Sequence, residues 1–174
     1  DDFDHIGATK DDCLKSREIL KNVASRAGWL FSEAKEREPS TCFRFLGYNL
    51  NTQTMKFEVP EDKLEKALHR LKVLLEAGLR PRTKITNRQL AKAVGLLCSF
   101  YRAYPGFARL MLRSCYATIE LSSEQGGWDR PITLTTEART ELAWWRENLK
   151  ILNGGLMKQE VQELETNLYG DASG

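Results

Sequence analysis

At Pro60 the spacing of apolar side chains changes its period, and this change limits the possible folds more than any other feature of the chain. Before it, Met55, Phe57 and Val59 alternate with Lys56 and Glu58, the period of a half-buried strand. After it, Leu64, Ala67, Leu68, Leu71 and Leu75 recur at helical spacing and Gly78 closes the run. Pro60 suits the boundary, because it ends a strand by lacking an N–H and presets φ for the first turn of a helix.

The other segments sort to either side of that divide. Residues 11–27 read as an amphipathic helix, with Ile19, Leu20, Val23 and Ala27 as its stripe, Asp11 and Asp12 at the positive end and Gly28 past the other. "GWLF" predicts a short strand. "FRFLGYNL" and "MKFEV", separated by the polar "NTQT", predict the two strands of a β-hairpin. Downstream, "TNRQ" offers a capping box, Thr86 with Gln89, ahead of a helix carrying Leu90, Ala91, Val94, Leu97 and Tyr101 inward and stopping before Pro105. "GFARLMLRSCYATI" predicts a further helix and "SSEQGGWDRP" a loop. A last helix starts near Thr135 or Thr136, with Ala138, Leu142, Trp145, Leu149 and Leu152 as its stripe, and ends before a Gly154–Gly155 break. The class is α+β, with strands in front and a helical bundle behind.

Composition adds two constraints. The net charge of +2 conceals a basic middle: residues 61–116 hold twelve Lys and Arg against four acids, flanked by a near-neutral front and an acidic end. Such segregation fits a polyanion-binding surface, although solvated helix faces produce it too. Cys13, Cys42, Cys98 and Cys115 are widely spaced, with no C-x-x-C and no histidine at a zinc spacing. They read as buried free thiols of a reducing, intracellular compartment, cytoplasmic or nuclear. No run approaches the ~18 apolar residues of a membrane span. His5 and His69 lack companions that would make them ligands, and Tyr101, Phe107, Trp144 and Trp145 read as packing residues.

"DDFDHIG", "WLFSEAKEREPS", "FRFLGYNLN", "FEVPEDKLEKAL", "TNRQLAKAVGLLCSFYRAYPGFARLM", "ARTELAWWRENL" and "YGDASG" follow one another in an order that resembles retrotransposon reverse transcriptases. The tyrosine-recombinase (DIRS-type) elements are most similar and the gypsy-type elements next. The resemblance covers nearly the whole chain and implies four parts: the end of a polymerase palm with its primer-grip hairpin over residues 1–60, a helical thumb over 61–120, a connection helix and linker over 121–165, and the first strand of a truncated RNase H-like domain over 166–174.

The resemblance also assigns roles. Asp1 and Asp2 match the aspartates of the family's Tyr-x-Asp-Asp motif, where carboxylates hold two Mg²⁺ ions that neutralise charge on the attacking and leaving oxygens. Lys35 matches a lysine proposed to protonate the pyrophosphate leaving group. Phe45, Leu46 and Gly47 resemble the primer grip, the alternative being a glycine bulge in a core strand. Asp171 matches the first metal-binding carboxylate of the RNase H-like domain. Arg80, Arg82, Lys84, Arg88 and Lys92 cluster where a thumb contacts phosphates of an RNA/DNA template–primer duplex. Asp4 departs from the pattern, since relatives carry an apolar residue there.

On this reading the chain is a fragment of an RNA-directed DNA polymerase, starting inside one catalytic motif and stopping just inside another. The parent would use deoxynucleotides and Mg²⁺, and the fragment alone, short of ligands for two ions, would be inactive. The alternative is a decayed or domesticated remnant acting as a non-catalytic nucleic-acid-binding or interaction module. No membrane partner is expected.

Overall fold

The computed structural model describes residues 6–32, 36–77 and 84–157 of the chain, an α+β arrangement. Helix α1 (Lys10–Arg26) opens on a capping box that the sequence hides: the Thr9 hydroxyl accepts the Asp12 N–H at 3.1 Å, and the Asp12 carboxylate accepts the Thr9 N–H at 3.2 Å. Gly28, at φ 81°, takes up the left-handed geometry that ends the helix. Only Ala24 of α1 is buried, while Ile19 is 65% and Val23 60% exposed, so the expected stripe faces outward. "GWLF" forms no strand. Trp29 is 59% and Leu30 97% exposed, and no described strand lies alongside to pair with this backbone.

The main sheet is antiparallel, in the order β1 (Cys42–Phe45), β2 (Tyr48–Asn51), β3 (Lys56–Glu58), β6 (Gly155–Leu156). "FRFLGYNL" is therefore not one strand of a two-stranded hairpin. It folds back on itself at Leu46 and Gly47, both at positive φ (45° and 83°), and Phe45 pairs with Tyr48. Two central residues at positive φ give the turn whose twist matches that of the flanking strands. The polar run after it makes a second connection, where the Asn51 side-chain oxygen accepts the N–H groups of Gln53 and Thr54. The Gly154–Gly155 break leads into a strand: Phe57 pairs with Gly155 and Lys56 with Leu156.

Pro60 stands at the expected boundary, its carbonyl accepting the N–H groups of Lys63 and Leu64 at the start of α2 (Glu61–Ala77). A two-stranded ribbon of β4 (Ile85–Thr86) and β5 (Pro131–Ile132) then pins α3 (Asn87–Cys98), whose Thr86–Gln89 capping box forms as read. After a short 3₁₀ turn, α4 (Arg113–Gly126) continues through "SSEQG", which composition had assigned to a loop. Helix α5 (Thr136–Asn148) starts from Thr135 and buries Ala138, Leu142 and Trp145.

Helices α2 to α5 share one core with Leu71, Leu90, Leu97, Phe100, Tyr104 and Trp145 at its centre. The Tyr104 hydroxyl donates to the Leu149 carbonyl, and burial pushes its pKa up. The Tyr104 ring meets Trp145 edge-on at 5.3 Å, and Trp144 packs on Phe107 at 5.7 Å. Tyr101 departs from expectation. The helix ends at Cys98, so the inward period passes to Phe100 and Tyr101 turns out, 46% exposed.

The N-terminus of α4 has no cap of its own. Glu141 supplies one from α5, its two carboxylate oxygens accepting the Ser114 and Cys115 N–H groups at 2.8 and 3.0 Å. Glu141→Ala should cost about 1–3 kcal/mol by stranding these part-buried donors, read as a lower denaturation midpoint with an unchanged m-value.

Candidate nucleic-acid interface

Arg88 and Lys92 lie one turn apart on the outer side of α3, and Lys84, just ahead of β4, is exposed as well. Gly95 and Ser99 continue the same exposed face. Nothing lies within 4 Å of where a Cβ on Gly95 would sit, so this stretch of helix is open to close approach. The face is less positive than its sequence suggests. Asp129 accepts from the Arg88 Nε at 2.8 Å and from Nη2 at 2.9 Å, a bidentate pair on the surface. The Arg88 hydrogen bond holds the Asp129 carboxyl below the usual range, so the pair stands above that range and is lost as pH falls through the depressed value. At neutral pH a phosphate must compete with Asp129 for Arg88; among the described residues Lys84 and Lys92 form no ion pair, although Asp129 also feels the Lys92 charge.

The Leu46–Gly47 turn is fastened to the bundle from two sides. The Lys63 ammonium on α2 donates to the Gly47 carbonyl at 3.0 Å, and the Tyr48 hydroxyl donates to the Ser99 carbonyl at the end of α3. Arg44 on β1 adds an ion pair to Asp62 at 3.0 Å. The turn that the resemblance marks as a primer grip and the basic face of α3 are thus parts of one framework. A Cβ at Gly47 would collide with the Lys63 ammonium, and the positive φ disfavours other residues there as well.

Asp1, Asp2, Lys35, Arg80, Arg82 and Asp171 lie outside the described residues, as do Asp4 and His5. Among the described residues no three His, Cys, Asp or Glu side chains gather as a metal site would require. His69 is exposed. Of the cysteines only Cys115 is buried, its thiol pushed up first by desolvation and then by Glu141; Cys42 is exposed. Burial and a hydrogen bond with Cys98 push the Tyr116 phenol up to about 12. A cleft of about 470 Å³ between the sheet and the α3–α4 connection is lined by Phe57, Tyr101, Arg102, Tyr104, Arg109 and Leu156. Among the described residues no helix is long and apolar enough to cross a membrane.

Sequence reading missed Lys63, Tyr48 and Asp129. Their partners are far along the chain, and no local signal announces them. No protein-family model, curated protein or solved structure matches the chain.

Proposed function

We propose that the chain is the duplex-holding part of a retrotransposon reverse transcriptase: palm end with primer grip, thumb, and connection. The parent protein would catalyse RNA-directed DNA synthesis with Mg²⁺ at Asp1 and Asp2. Those catalytic roles rest on the ordered sequence resemblance. The observation that carries the binding role is the bond from Lys63 to the Gly47 carbonyl, with Tyr48 on Ser99 beside it. A primer terminus must be held at a fixed offset from the surface that grips the duplex, and a turn bonded to both α2 and α3 supplies such an offset. Lys84, Arg88 and Lys92 on the α3 side offer sequence-independent phosphate contacts.

The test is binding of a fluorescent RNA/DNA template–primer duplex to the 174-residue chain across a salt series. About four phosphate contacts would weaken binding roughly a hundredfold between 50 and 200 mM salt, on a slope of about −0.9 per contact. A flat response, or no binding at low salt, would sink the proposal.

A further inference from the structure

Three of the four acids of α2, Glu61, Glu65 and Glu76, sit away from one flank of that helix, and the fourth, Asp62, borders it one turn before Lys66, close enough for Lys63 to act on its carboxyl. Asp62 is paired with Arg44, whose hydrogen bond lowers the Asp62 carboxyl. Glu61 binds Lys150 beyond the end of α5, within reach of Glu65. Glu76 lies 3.8 Å from Lys72, one turn earlier. Lys63, Lys66 and Arg70, spaced by three and four residues, share the flank that is left. Its two ends are fixed by bonds already formed. Lys63 reaches the Gly47 carbonyl of the hairpin turn, and the Arg70 Nη1 donates to the Lys92 carbonyl of α3 at 2.6 Å.

From these contacts we infer that Lys63, Lys66 and Arg70 form a second phosphate-binding track, carrying one strand of a duplex from the hairpin turn to the α3 face. The inference rests on the duplex-holding role proposed above and adds residues and a path to it. An ammonium has three donors and a guanidinium five, so the bonds that Lys63 and Arg70 make among the described residues leave donors for an anion. At 1.5 Å per residue the flank from Lys63 to Arg70 is about 10 Å long. Successive phosphates of one strand advance about 3.4 Å along the duplex axis, so the track spans about three base pairs. The occupant is a nucleic-acid backbone because the charges are arrayed in a line and join two other elements of the same interface.

The test compares salt slopes for the same RNA/DNA duplex. Lys66→Gln removes an exposed charge without touching the core, and Arg70→Gln is the second variant, checked for an unchanged melting temperature. Lys72→Gln, on the opposite flank, is the control. Lys66→Gln should make the slope shallower by about 0.9 and weaken binding at 100 mM salt roughly eightfold, with Lys72→Gln close to the parent chain. If the parent binds steeply and Lys92→Gln flattens the slope while Lys66→Gln and Arg70→Gln behave like the control, the track is wrong and the duplex-holding role survives. If the parent chain itself binds with no salt dependence, both fall together.

Discussion

Gly155→Ala should destabilise the chain by roughly 3 kcal/mol, at the upper end of overpacking substitutions. A Cβ at this position would run into the Arg102 carbonyl oxygen, with Pro105 Cδ at 3.0 Å and the Ala103 Cα at 3.1 Å. Two of those three atoms are backbone, and the third belongs to a rigid ring, so none can swing aside. The strand would have to lift away from the α3–α4 connection, giving up its pairing with Lys56 and Phe57. For a chain of this length the loss corresponds to a fall of about 6–12 °C in melting temperature by calorimetry or circular dichroism. Gly95→Ala provides the contrast. It lies inside a helix with open space above it, and should stabilise by about 0.5–1 kcal/mol through helix propensity alone. Equal effects at the two glycines would mean that β6 does not sit against the connection.

The second large effect concerns binding. The triple variant Lys84→Glu, Arg88→Gln, Lys92→Glu should lower duplex affinity at 100 mM salt on the order of a hundredfold or more, since three phosphate contacts are lost and two become repulsive. All three side chains are exposed, so the helical circular dichroism signal should stay as it was. Arg88 is changed to Gln rather than Glu because a carboxylate there would face Asp129. Persisting affinity would move the interface to another face of the molecule.

Where the fold was legible in the sequence, the signal was local. The box of Thr86 and Gln89, the start at Thr135, the α5 stripe as far as Leu149 and the boundary at Pro60 each depend on residues within a turn or two, whereas Leu152, expected to continue that stripe, lies past the end of the helix and is 38% exposed. The hairpin turn escaped because Leu46, not Asn or Gly, occupies its first positive-φ position, which masks the usual turn dipeptide. "GWLF" misled because an apolar run says nothing about whether a partner strand exists. β6 was illegible because two residues carry no period, and its register comes from the chain packed around it. The candidate interface was half legible. The spacing of Arg88 and Lys92 marks one face, and the basic middle is a matter of counting. That Asp129 answers Arg88 from 41 residues away, or that Lys63 seizes a turn 16 residues earlier, follows only from tertiary structure.

The backbone leaves the sheet at Val59 and comes back at Asn153, and these two residues are bonded to each other. The Val59 N–H donates to the Asn153 side-chain oxygen at 2.8 Å, and the Asn153 amide donates to the Val59 carbonyl at 3.0 Å. Everything between them is therefore a loop of chain whose entrance and exit share one doorway. New termini could be opened inside that loop with the doorway still shut, but the loop could not be taken away whole, because Lys63, Ser99 and the backbone at Arg102 hold the strands that it leaves behind.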